Sequence, residues 1–319
     1  MVWGQTPRPC FLETTMYLPA LTLGYAVPTG NFDAAVHSVF HSALNLRPTN
    51  EDRLLTLVIS SEPDLPQGIR IDSPDGFSFE GFHIGESVTC KDGILRFEKT
   101  RLTIQLNDAP RWDSALSKLE VDTSKPAISS ALSVVWEILN QRQKHLNSDI
   151  IADKLFSSNE TAQAKPVSSK TGKAIRELFT ATQNLEIDGI SAAKALIGLG
   201  SGLTPSGDDL LAGFIAGLWC TTQNESGRTQ FISALGKSII AHSTRTNDIS
   251  RTYLYHAAHG HVSRRLLALV KTISNGGISK RLLETAESAM QTGSTSGMDA
   301  VTGLLIGISA WNKEMILFT

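Results

Sequence analysis

Residues 206–217 read SGDDLLAGFIAG, and residues 296–307 read SGMDAVTGLLIG. The two segments are identical at five of twelve positions, with a constant offset of 90 residues and apolar residues between the matches. In each segment two glycines stand four residues apart, which places them on one face of a helix. Because glycine inside a helix costs about 1 kcal/mol relative to alanine, we predict that these two helix backbones pack closely against each other.

Each segment also opens with a pattern typical of a helix start. Ser206 is followed three residues later by Asp209, and Ser296 in the same way by Asp299. A serine hydroxyl at this position can accept a hydrogen bond from a free N–H of the first turn while the acidic side chain reaches back. We therefore predict that both serines cap their helices, and we regard the two segments as a duplicated helix-start motif.

The stretch that leads into the first segment is rich in glycine, since residues 198–205 read GLGSGLTP. Glycine allows positive φ and lets backbone N–H groups approach a ligand, and a helix start adds free N–H groups and the positive end of the helix dipole. No Gly-Lys-Ser/Thr follows and the glycine spacing differs from G-x-G-x-x-G, which excludes a P-loop and a dinucleotide fingerprint. The pattern predicts a small-anion site at residues 198–209.

Two adjacent carboxylates, Asp208 and Asp209, complicate this prediction because they would repel a bound phosphate. A Mg²⁺ ion, or the nitrogen of a carbamoyl or amino group, would remove the repulsion if it lay between them. Successive helix residues point about 100° apart, so one aspartate could cap the helix while the other faces the pocket. We take both as candidate catalytic residues. The alternative is that the aspartates only cap the helices and complement their dipoles.

The character of the sequence changes near residue 120. Before it, short apolar runs alternate with turn residues, at 54–60, 68–71, 88–90, 94–97 and 102–106. Asp92-Gly93 between two runs predicts a hairpin, and Asp33–Leu46 looks like a helical insertion. After it, residues 127–139 and eight later segments (171–184, 189–197, 207–220, 228–242, 250–259, 262–273, 279–291 and 297–311) are predicted helices, with a polar linker at 148–170. We predict an α+β fold with a β-rich N-terminal part, 1–122, and a larger all-helical part, 123–319, that contains the duplicated motif.

Composition narrows the functional classes. The chain has 319 residues, a net charge of −2 and a pI near 6.5, so it lacks the basic excess of a nucleic-acid-binding protein. No apolar run reaches the roughly 18 residues of a membrane span, and the apolar segment 16–27 lacks a positive start, so we expect no membrane association and a cytoplasmic location. Cys10, Cys90 and Cys220 form no CxxC pair, which favours free thiols in a reducing compartment.

Other side chains are weaker candidates. His256 and His259 could share a helix face and bind a metal, but no third ligand is evident, so buried or solvated histidines are favoured and no metal site is predicted. For His37 and His41, too, buried or solvated histidines are favoured over metal ligands. Four arginines could bind a carboxylate or phosphate, but a solvent-exposed position without a ligand is favoured for each. They are Arg245, Arg251, Arg264 and Arg265.

Three blocks of this sequence resemble the AllH-like family, whose named members are subunits of oxamate carbamoyltransferase in anaerobic allantoin degradation. The first is residues 200–213, which match Gly-x-Gly-Leu-Thr-Pro-Ser-x-Asp-Asp-x-x-x-Gly. The second, T-x-x-x-S-x-x-x-L-x-x-A-A-x-G, covers residues 246–260. The third, at residues 293–299, has Ser294 where the family usually has histidine, which puts any catalytic role there in doubt. Residues 36–58 are more weakly similar to the family's start.

The resemblance implies carbamoyl transfer linked to carbamoyl phosphate and oxalurate, with no cofactor (Mg²⁺ remains possible), in an enzyme with other protein subunits. Asp208 could then accept from the carbamoyl NH₂ group. The residues expected to bind the small anionic substrate are Gly200, Gly202, Thr204, Ser206, Gly207, Thr246, Ser250, Ser296, Gly297 and Asp299. Two alternatives stay open: a non-catalytic subunit that binds an anion or nucleotide for a catalytic partner, and an ATP- or Mg²⁺-dependent enzyme that uses Asp208 and Asp209.

Overall fold

The computed structural model describes residues 15–144, 150, 152–155 and 166–312. Contacts within the chain divide it into two compact units, residues 1–112 and residues 113–319. Most of the predicted linker at 148–170 lies outside the described residues, as does Cys10.

In residues 15–112, the described part of the first unit, the chain forms nine strands. They are β1 (Met16–Gly24), β2 (Phe32–Val39), β3 (Ala43–Pro48), β4 (Leu55–Val58), β5 (Gly68–Ile71), β6 (Ser87–Lys91), β7 (Ile94–Phe97), β8 (Leu102–Gln105) and β9 (Arg111–Trp112). The predicted hairpin at Asp92-Gly93 is confirmed, because both residues have positive φ (52° and 71°) and join β6 to β7.

These strands close into a barrel. The sheet runs β5-β4-β3-β2-β6-β7-β8-β1-β9, and β5 also pairs with β1, so that eight strands form a ring. β1 achieves this by pairing along residues 16–19 with β8 in parallel and along residues 20–23 with β5 in antiparallel orientation. The interior is apolar and includes Leu44, Leu46, Leu57, Ile69, Ile71 and Ile104, each fully buried. Closure leaves the ring without an unpaired edge.

The expected fold class is therefore wrong in its account of the N-terminal part. Strands and helices do occupy separate parts of the chain, but the N-terminal part is a closed eight-stranded barrel rather than a loosely defined β-rich region. The helical insertion at Asp33–Leu46 is also wrong, since this segment forms β2 and β3. Ala34 and Val36 are buried while Asp33 and Ala35 are exposed, which is the two-residue period of a strand.

The second unit is helical. Its helices are α1 (Pro126–Gln143), α2 (Ala152–Leu155), α3 (Pro166–Gln183), α4 (Ser206–Cys220), α5 (Ser226–His242), α6 (Asp248–Ala258), α7 (Arg264–Ser274), α8 (Lys280–Met290) and α9 (Ser296–Ser309), with short 3₁₀ helices at Ile187–Ala195 and Ser243–Arg245. α4 and α9 are buried on almost every face, as expected of central helices. Within the described ranges, no helix has both the length and the apolar character needed to cross a bilayer.

Candidate functional site

The two central helices touch through their glycines. A methyl group on Gly303 would overlap the carbonyl oxygen of Leu210, and one on Gly307 would overlap that of Phe214. Gly213 lies just as close to the backbone of α9. The predicted close approach of the two backbones is therefore confirmed. Because residue numbers rise together along both helices at these contacts, α4 and α9 run parallel and begin at the same end.

This parallel arrangement brings two helix starts, at Ser206 and Ser296, to one place. Each start carries the positive end of a helix dipole, equivalent to roughly half an elementary charge. Three aspartates in the first turns, Asp208, Asp209 and Asp299, lie beside these positive ends. Asp208 is 2% exposed and Asp299 is 0% exposed. The paired dipoles therefore offset part of the cost of burying these acidic groups.

The predicted capping role of the two serines is wrong. The N-cap residues are Pro205 and Thr295, neither side chain makes a capping hydrogen bond, and Ser206 and Ser296 are already the first helical residues. The Ser296 hydroxyl instead lies 2.6 Å from the Thr204 hydroxyl. Because the helices are so close together, this hydroxyl links α9 to the loop before α4 rather than to its own helix.

Asp208 holds the glycine loop to the start of α6. Its Oδ1 accepts the Gly198 N–H at 2.8 Å and its Oδ2 accepts the Thr246 hydroxyl at 2.5 Å. Burial raises the pKa of this carboxyl, while the hydrogen bonds from Thr246 and Gly198 counteract the rise. Both oxygens thus serve internal contacts, and the residue connects three segments of the site.

Asp209 has a different environment. Burial raises the pKa of its carboxyl to about 8; the nearby hydroxyl groups of Ser296 and Thr204 oppose the rise, and the charges of Asp299 and Asp208 add to it. Its Oδ2 is buried without a hydrogen-bond partner in the described part of the chain. At neutral pH the side chain is therefore mostly a protonated, neutral carboxyl. A neutral Asp209 does not repel an anion, so only Asp208 of the two adjacent carboxylates remains as a source of the repulsion that the sequence predicts.

The loop of residues 198–205 has the backbone that its glycines predict. Gly198, Gly200 and Gly202 have φ values of 74°, 118° and 109°, a region that residues with a side chain rarely adopt. Residues 200–203 are exposed. From Gly200 to Thr204 no backbone N–H donates to an acceptor in the described residues. These N–H groups are available to solvent or to a ligand.

The other two candidate glycines serve packing. A methyl group on Gly207 would overlap the Leu196 carbonyl oxygen, and one on Gly297 would overlap the Ala289 carbonyl oxygen. The N–H of each glycine also donates to a backbone carbonyl at 2.8 Å. The solvent-facing part of the site is therefore the loop, and the helix starts beneath it are tightly packed.

Comparison with models of known protein families assigns the chain to a family. A family model described as oxamate carbamoyltransferase subunit AllH matches residues 196–308, which include the loop and both central helices. A second model, the AllH family N-terminal domain, matches residues 20–111, the barrel. The chain belongs to the AllH family. It is accordingly a carbamoyltransferase-associated subunit, and the description of AllH as a subunit implies an enzyme with further protein chains. No solved structure matches this AllH chain.

The sequence analysis of this AllH chain missed Asn247, which lies just before α6. Its Oδ1 accepts the N–H groups of Ile249 and Ser250, both at 3.0 Å, and its Nδ2 donates to the Leu203 carbonyl oxygen at 2.8 Å. Asparagine is one of the preferred N-cap residues, so its position before a predicted helix was a usable signal. The helix was placed two residues too late, at 250.

The weaker candidates have partners elsewhere in the AllH chain. His256 is 2% exposed, and the His259 ring Nδ1 lies 2.7 Å from the Tyr255 carbonyl oxygen. Arg251 pairs with Asp248 at 3.0 Å. In the described ranges, no three His, Cys, Asp or Glu side chains are grouped so as to hold a metal ion. Cys90 and Cys220 are buried free thiols.

Proposed function

We propose that this AllH chain binds a small anionic substrate of the carbamoyltransferase at the glycine loop, residues 198–205, above the paired starts of α4 and α9. The observation that carries the proposal is the convergence of two parallel helix starts beneath a loop whose N–H groups, from Gly200 to Thr204, have no acceptor among the described residues. Free N–H groups combined with positive dipole ends are the general chemistry of phosphate and carboxylate binding.

The state of the carboxylates supports an anion as the ligand. Asp208 directs both oxygens to Gly198 and Thr246, which makes it a positioning residue for the loop. Asp209, mostly neutral at pH 7, can donate a hydrogen bond to a phosphate or carboxylate oxygen and can accept one from a carbamoyl NH₂ group. We therefore assign the substrate contact to Asp209.

The chemistry implied by the family name fits such a site. An oxygen of hydrogen phosphate attacks the ureido carbonyl carbon of oxalurate, the bond from that carbon to the amide nitrogen breaks, and oxamate leaves with its nitrogen carrying the proton that the phosphate releases. The other product is carbamoyl phosphate. The N–H groups of the loop would stabilise the negative charge that develops on the carbonyl oxygen. The step as written consumes no cofactor.

The exposure of the loop also favours a role in which this subunit supplies only part of the substrate site. Residues 200–203 are exposed, so the loop on its own does not enclose a small ligand. This subunit would then contribute one wall of the substrate site, and its partner subunits would enclose the substrate and supply the remaining catalytic groups.

A matched pair of glycine variants tests the proposal. Gly202→Ala and Gly277→Ala both place a methyl group in open space at a positive φ, 109° and 75° respectively, so each should cost about 1–2 kcal/mol of stability. Calorimetric titration with phosphate and carbamoyl phosphate, with and without Mg²⁺, should show binding weakened about tenfold or more in Gly202→Ala alone. Equal affinities in the two variants, or no binding by the wild type, would contradict a site at the loop.

A further inference from the structure

The two residues before α6, Thr246 and Asn247, form side-chain hydrogen bonds with Asp208 and with Leu203 of the glycine loop, in addition to the bonds that cap α6. We propose that Asn247 is a positioning residue that fixes the loop in its anion-binding geometry. This inference rests on the proposed function, since it concerns how the same site is kept ready for its ligand.

The Asn247 side chain uses its two ends for two separate tasks. The Oδ1 atom accepts the N–H groups of Ile249 and Ser250 at 3.0 Å each, which caps α6. The Nδ2 atom donates to the Leu203 carbonyl oxygen at 2.8 Å. An asparagine side chain carries one acceptor and one donor group, so a single residue can join a helix start to a loop. The second contact contributes nothing to the cap.

A neighbouring contact holds the other end of the loop. Thr246 donates to Asp208 at 2.5 Å, and Asp208 in turn accepts the Gly198 N–H at 2.8 Å. Thus two consecutive residues, Thr246 and Asn247, secure the loop at Gly198 and at Leu203.

Between these two points lie Gly200 and Gly202, whose backbones have the freedom that glycine provides. The side chain of Leu203 is 63% exposed, so apolar packing does little to anchor this end of the loop. The hydrogen bond from Asn247 therefore carries much of the restraint. A loop that is already held in its binding conformation loses less entropy when the ligand arrives.

Serine at position 247 separates the two tasks of Asn247. Serine is about as good an N-cap as asparagine, so it keeps the cap, but it is too short to reach the Leu203 carbonyl oxygen. It also adds no charge beside the anion, whereas aspartate would. Ser279→Ala is the matched control, because the Ser279 hydroxyl caps α8 by accepting the Leu282 N–H at 3.1 Å and touches no part of the loop.

Calorimetric titration of the full chain with phosphate and with carbamoyl phosphate, together with the melting temperature of each variant, tests the inference. Asn247→Ser, which keeps the cap, should lower the melting temperature no more than Ser279→Ala does and bind about three- to tenfold more weakly, the effect of one net hydrogen bond. Ser279→Ala should melt at a lower temperature and bind as the wild type does.

Wild-type affinity in Asn247→Ser would overturn the inference and leave the proposed function standing. A melting temperature that falls in step with the affinity would also overturn it, because it would reduce Asn247 to a helix cap. Failure of the wild-type chain to bind either anion would overturn the proposed function and this inference together.

Discussion

Replacing Gly303 with alanine is expected to destabilise the helical unit by about 3 kcal/mol or more. The added methyl group would overlap the Leu210 carbonyl oxygen and crowd the Phe214 backbone nitrogen. Backbone atoms inside a central helix cannot rotate aside as a side chain can, so α4 and α9 would have to separate. The gain of about 1 kcal/mol in helix propensity from glycine to alanine offsets only part of this cost. Urea denaturation followed by circular dichroism measures the change.

Gly172→Ala provides the matched control for this prediction. It makes the same substitution inside helix α3, where the nearest described atom to the new methyl group is the Arg176 Nη1, at 3.2 Å, and a side-chain end can shift more easily than a helix backbone. This variant should be as stable as the wild type or slightly more so. If the two variants unfolded at the same urea concentration, the close approach of α4 and α9 would not be needed for stability.

The contribution of Asp209 to the stability of the chain should fall as the pH rises from about 4 to about 8, and Asp209→Asn should remove that contribution. The Asp209 carboxyl has a pKa near 8 in the folded chain and an ordinary value of 3.8. Between these values the folded state binds a proton that the unfolded state has released, so raising the pH favours unfolding. The contribution of this one group is on the order of several kcal/mol. Asparagine resembles the protonated carboxyl and does not titrate.

Melting temperatures at pH 5, 7 and 9 measure this effect. Asp209→Asn should match the wild type most closely at pH 5 and exceed it at pH 9. The control is Asp188→Asn, which makes the same chemical change on an exposed side chain of the helical unit. Parallel pH profiles for the wild type and Asp209→Asn would show that Asp209 is ionised in the folded state.

The sequence predicted the helical unit well because its signals are local. Helices α4 and α9 follow from their apolar residues and glycine spacing, and the structure begins them at Ser206 and Ser296, one residue before the predicted starts. The barrel could not be predicted in the same way. Its closure depends on β1 pairing in parallel with β8, where Met16 faces Leu102, and no local pattern reports a contact between residues so far apart.

For the candidate site, the sequence predicted the glycine loop and the aspartates at the helix starts, but not how these residues contact one another. It assigned Ser206 and Ser296 to capping, because the capping pattern considers each helix alone, whereas Ser296 contacts Thr204 on a different segment. Asp208 likewise bonds to Gly198 and Thr246, which lie on two other segments of the chain. Contacts of this kind become visible only when the fold is known.

The most direct test of the anion site is a titration observed by NMR on a chain labelled with ¹⁵N only at glycine. The 25 glycines then report separately, and Gly200 and Gly202 lie in the proposed site while Gly76 and Gly277 lie outside it. Addition of carbamoyl phosphate should shift the amide signals of Gly200 and Gly202 in a saturable manner and leave those of Gly76 and Gly277 in place. Unchanged signals from the loop at saturating ligand, or shifts confined to glycines elsewhere, would contradict the account.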